Sequence, residues 1–79
     1  MMNKPDFPLN QSSEGREVVL AAIEGGQKLK MRLKDMGLKV GMTIKVLQAH
    51  RTGPCIILAG QTRLIIGRGM AHKLLVREL

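Results

Sequence analysis

The potential iron ligands in this sequence are His50, Cys55 and His72. They are scattered, with no C-x-x-C pair and no two histidines a helical turn apart. Fe(II) and Zn(II) sites usually gather three or four such ligands at close spacing. The spacing therefore predicts no metal site and no cofactor. His50 and His72 are read as surface residues, and Cys55 as a small apolar residue of a strand. Cys55 is the only cysteine, so no disulfide can form within the chain, which suits a reducing compartment.

Catalytic arrangements are missing as well. No Ser-His-Asp set has supporting context, and H-E-x-x-H does not occur. A phosphate-binding P-loop needs glycine, four residues, then Gly-Lys and Ser or Thr. The stretch from Gly37 to Thr43 fails that spacing and lacks the lysine. Gly67 and Gly69 lack the third glycine and the βαβ frame of a dinucleotide site. These glycines are read as turns, and the chain as no enzyme.

What remains is charge. The net charge is +7, and it is unevenly spread. Residues 1–24 sum to −2 and residues 25–79 to +9. A surface this basic attracts nucleic acid, a membrane face or an acidic protein. Lys28, Lys30, Arg32, Lys34 and Lys39 concentrate that charge in one short stretch, the candidate partner-binding surface. The plainer reading is a solvated helix back. Single-strand binders on small barrels stack bases on aromatic side chains, and Phe7 is the only aromatic here. The same shortage excludes the aromatic groove of proline-peptide readers. Nucleic acid is therefore not expected.

The elements that carry these residues follow from periodicity. Leu29, Leu33 and Met36 recur at helical spacing, so a helix is predicted from Lys28 to Met36. Its like charges at i,i+4 weaken it in isolation, and tertiary packing must hold it. Gly37 stands where a left-handed residue would end the helix, with Leu38 as the apolar anchor. Gly41 is a second turn, and Gly53-Pro54 a third. Alternation predicts strands over residues 16–24, 42–49, 55–59, 62–66 and 74–78. Ile23 breaks parity with Val18 and Leu20, which calls for a bulge or for burial on both faces. Gly60-Gln61 fits a type II′ hairpin turn. Residues 70–73 are read as one helical turn that carries Ala71 inward.

The length of 79 residues allows one domain with a small core built from Val, Ile, Leu and Met. Residues 1–7 are read as a flexible lead-in, with Pro5 and Pro8 disfavouring regular structure, and residues 8–79 as the domain. No apolar run approaches the roughly 20 residues needed to span a bilayer, and the start lacks the apolar centre of a signal peptide. A cytoplasmic protein is expected. Five short strands, one helix after the first and a helical turn before the last predict a mainly β, small barrel.

The order of these pieces resembles the FeoA family of small SH3-like domains associated with bacterial ferrous-iron uptake. Pro8-Leu9 followed by Gly15 is similar to the family's opening. Ile23-Glu24-Gly25-Gly26 leads into Arg32-Leu33-Lys34-Asp35-Met36-Gly37-Leu38 and Gly41, which resembles its central run. Gly53-Pro54-Cys55-Ile56 and the segment from Arg68 to Val76 are similar to its later parts. Ser12 and Ser13 depart from the pattern where a second apolar residue is common.

The resemblance implies an SH3-like barrel without catalytic activity. It implies a cytosolic accessory protein beside FeoB, a membrane transporter of Fe(II) with a GTP-hydrolysing domain, so that any membrane contact is peripheral and through the partner. Two alternatives stay open: a basic nucleic-acid-binding barrel, and a transition-metal-binding domain related to the C-terminal domain of metal-dependent repressors. No helix-turn-helix region precedes the barrel here, so a whole repressor is not expected.

Overall fold

The computed structural model describes residues 5–79. The chain runs as β1 (Phe7–Pro8), a 3₁₀ turn (Leu9–Gln11), β2 (Glu17–Ile23), α1 (Gln27–Asp35), β3 (Thr43–Gln48), β4 (Cys55–Ala59), β5 (Thr62–Ile66), α2 (Arg68–Ala71) and β6 (Leu74–Glu78). The strands form one antiparallel sheet in the order β1-β6-β2-β3-β4-β5. This is a mainly β, SH3-like small barrel.

The sheet curls around one apolar core. Val18 and Leu20, Ile44 and Val46, Cys55 and Ile57, and Leu74 and Val76 are buried two by two along their strands, as period-2 alternation requires. Val18 faces Ile44, Val46 faces Ile57, and Leu20 faces Val76 across the ladders. Leu9, Leu33, Leu38 and Ala71 complete the core from outside the sheet. No buried polar or charged residue interrupts it among the described residues.

Two register shifts bend the sheet. One lies between Leu20 and Ala22 on β2, and it explains the lost parity of Ile23. The other lies between Val46 and Gln48 on β3, where the sequence offered no break in alternation. The ladder between β2 and β3 is tied at one end by Gly15 N–H to the Val46 carbonyl at 2.7 Å and Val46 N–H to the Arg16 carbonyl at 2.9 Å. The hairpin between β4 and β5 turns at Gly60, whose φ of +64° with no positive-φ residue beside it fits the expected type II′ turn.

Three expectations need correction. The sheet has six strands rather than five, because Phe7 and Pro8 pair with Val76 and Leu75 of β6. Proline is tolerated at the outer strand of a sheet, where one side of the backbone has no ladder to complete. Phe7, read as part of the lead-in, packs against the core. Residues 1–4 of that lead-in lie outside the described residues. Finally, α2 begins at Arg68, two residues before the predicted turn, although Ala71 is buried as expected.

Candidate functional site

The helix α1 ends on Met36, Gly37 and Leu38, and this ending shapes the site. Gly37 has φ +93°. Its N–H donates to the Lys34 carbonyl at 2.9 Å, and the Leu38 N–H donates to the Leu33 carbonyl at 2.9 Å. Those two bonds are the paired 5→2 and 6→1 bonds of a Schellman ending, and the Leu33 and Leu38 side chains are both buried beneath it. Arg32 and Lys34 lie in the last turn, where cations complement the helix dipole. The chain then turns once more. Met42 N–H donates to the Lys39 carbonyl at 3.2 Å, and Gly41 at φ +98° occupies the position that a type II turn reserves for glycine.

This double turn carries Lys39 and Val40 outward beside β2. Between them and the end of β2 lies a groove of about 420 Å³. Its apolar lining is Ala21, Ala22, Ile23, Leu38 and Val40, and its basic lining is Lys30, Lys34 and Lys39. Val40 is 59% exposed, so an apolar side chain of the lining stands open to solvent. None of the three lysines makes an ion pair among the described residues.

The groove also meets a strand that has outrun its neighbour. The β2–β3 ladder stops at Val19 and Thr43. Leu20 makes the last bonds to that side, donating to Met42 at 2.9 Å and accepting from Gly41 at 2.7 Å. Beyond it, Ala22 and Ile23 pair only with β6.

The five cations singled out by sequence are thus divided. Lys30 and Lys34, one turn apart, join Lys39 on the groove. Lys28 and Arg32 form a second ridge on α1 that does not line it. Sequence reasoning missed the apolar half of the groove. The signal was Val40, an apolar residue in a glycine turn with no place in any strand pattern.

Elsewhere the ligand candidates stay apart. No three or more His, Cys, Asp or Glu residues gather to hold a metal among the described residues. Cys55 is fully buried. Burial pushes its thiol pKa up, against a weaker opposing hydrogen bond from the His50 backbone. His50 and His72 are exposed. Gly53 and Pro54 occupy the loop between β3 and β4, and Gly53 is outside the left-handed region.

The model of the FeoA domain matches residues 7–78, nearly the whole chain. The chain belongs to the FeoA family. It is 36% identical over 72 residues to "Putative Fe(2+) transport protein A" of Methanocaldococcus jannaschii, covering 91% of this chain and 87% of that one. The crystal structure of an iron uptake regulatory protein, FeoA, superposes with a TM-score of 0.85 at 39% identity, over 95% of this chain and all of the other. A manganese-dependent transcriptional repressor superposes with a TM-score of 0.85 at 16% identity. It covers all of this chain and 45% of the repressor, and that likeness concerns the fold alone. This FeoA-family chain is therefore associated with ferrous iron transport, and no helix of it among the described residues is long and apolar enough to cross a membrane.

Proposed function

We propose that this chain is a non-enzymatic accessory protein of ferrous iron uptake that works in the cytoplasm by binding the cytosolic part of an FeoB-type transporter. The observation that carries this reading is the groove: in an FeoA-family chain, three lysines with no ion pair among the described residues border an open apolar lining. Apolar area supplies affinity on docking, and the cations speed encounter with an acidic surface and fix its register. Lys28 and Arg32 extend the positive field around α1 without lining the groove. Iron belongs to the transporter in this reading, and the chain itself holds no metal and transfers no group.

Co-purification with the cytosolic domain of the cognate transporter tests the proposal, together with iron uptake in cells lacking this chain. Binding that weakens with salt, and uptake that falls on deletion, are expected. Absence of binding together with unchanged uptake would overturn it.

A further inference from the structure

The groove beside α1 has features that specify its occupant more narrowly than charge does. Its lining combines two small residues, Ala21 and Ala22, with the branched side chains of Ile23, Leu38 and Val40. Three lysines approach it from two elements, Lys30 and Lys34 from α1 and Lys39 from the turn. No acidic residue lines it among the described residues. One border is a strand whose last hydrogen bonds on that side are those of Leu20, while Ala22 and Ile23 beyond it pair with β6.

We infer that this groove binds an extended, acidic-apolar peptide segment of a partner, laid along the end of β2 by strand addition. The inference rests on the accessory-protein reading above and names the chemistry by which that docking would occur. Strand addition uses main-chain hydrogen bonds for affinity and alternate side chains for specificity. The segment's apolar side chains fill the lining of Ala22, Ile23 and Val40, and its carboxylates meet Lys30, Lys34 and Lys39. The small alanines leave room for the incoming backbone to approach the strand. Single-stranded nucleic acid is the poorer match, because no aromatic side chain lines the groove for a base to stack on. A bilayer surface is also poorer, because a concavity of about 420 Å³ accepts a chain of side chains more readily than a plane of headgroups.

The test is an amide NMR titration of the full chain with a blocked peptide in which glutamates alternate with valines. The expected result is shift changes confined to the groove residues, 21–23, 30, 34 and 38–40, and slowed exchange of an amide within residues 21–23 that faces away from β6. A peptide with lysines in place of the glutamates should not bind. The triple variant Lys30→Glu, Lys34→Glu, Lys39→Glu should bind the acidic peptide at least roughly tenfold more weakly, a change readily resolved in a dissociation constant. Val40→Asp, at an exposed position, is the second variant and should weaken binding without disturbing the remaining spectrum. Shifts that map to another face, equal binding of the two peptides, or stronger binding of oligo(dT) or anionic vesicles to these residues would overturn the inference. The transporter's cytosolic domain separates the two levels. If it binds wild type and the triple variant equally, the groove inference fails and the accessory reading stands. If it binds neither while the acidic peptide binds wild type, the accessory reading fails and the groove remains a peptide site.

Discussion

The N–H of Leu38 reaches back across Gly37 to the carbonyl of Leu33 at 2.9 Å, while the side chains of both leucines are buried in the core. One residue pair thus closes the helix and anchors it to the barrel. It also sets the direction in which the chain leaves, and that direction delivers Lys39 and Val40 to the groove.

Gly37 makes that pairing possible, and its replacement should be costly for a backbone reason alone. A Cβ built there meets nothing within 4 Å, so the added Cβ itself meets no neighbouring residue. The left-handed φ of +93° is what an L side chain resists. Gly37→Val should lose at least about 1–2 kcal/mol in urea unfolding. Unchanged stability would mean that the helix ends in another way.

The opposite end of α1 offers a gain. Gly26 is its N-cap, in extended backbone at φ −75°, and no side chain caps the first turn. A Cβ there also meets open space. Gly26→Ser supplies an oxygen for the unpaired N–H groups and should stabilise the chain by a few tenths of a kcal/mol. A lower melting temperature in the variant would count against this cap geometry.

The barrel was legible because its information is local and periodic. Val18 and Leu20, or Ile44 and Val46, announce strands by alternation, and Gly37 announces a helix end by its position before Leu38. The parity break at Ile23 even signalled the bulge on β2. What alternation cannot register is a strand of two residues, so Phe7 and Pro8 escaped. Their pairing with β6 depends on a partner some seventy residues away in sequence. The candidate site was half legible for the same reason. Charge is countable along a chain, and the five cations stood out. Their division into two ridges, and the placing of Ala22 and Val40 on one groove, depends on how the double turn closes in three dimensions.

Cys55 should give the fold a stability that declines in alkali. Its thiol is fully buried opposite Ile66, and burial raises its pKa above that of an ordinary thiol, against the smaller effect of the His50 backbone. In the unfolded chain the thiol loses its proton first as pH rises. The folded state then binds more protons than the unfolded one, so stability is intact below that range and falls as pH climbs above it. Urea midpoints of wild type and Cys55→Ala should therefore converge between about pH 8 and about pH 10.5, a window that spans ordinary thiol titration. A difference between the two that stays constant across the window would contradict this reading.

The N-terminal strand is held by two contacts of different kinds, and mutation should separate them. Arg77 Nε donates to Asp6 Oδ1 at 2.9 Å, with side chains 53% and 29% exposed. An exposed pair of this kind contributes about 0–1 kcal/mol, and salt reduces it. Phe7, next in sequence, packs against the core while its backbone pairs with Val76. A half-buried aromatic removes much more apolar area from water than the ion pair recovers in Coulomb energy. Asp6→Asn should accordingly cost less than about 1 kcal/mol and lose its effect in high salt. Phe7→Ala should cost about 1–3 kcal/mol, below the range for a fully buried phenylalanine, and its effect should be insensitive to salt. The ordering of the two costs is the decisive readout. If Asp6→Asn proves the more damaging, the strand is fastened by charge, and the apolar account of its pairing with β6 is wrong.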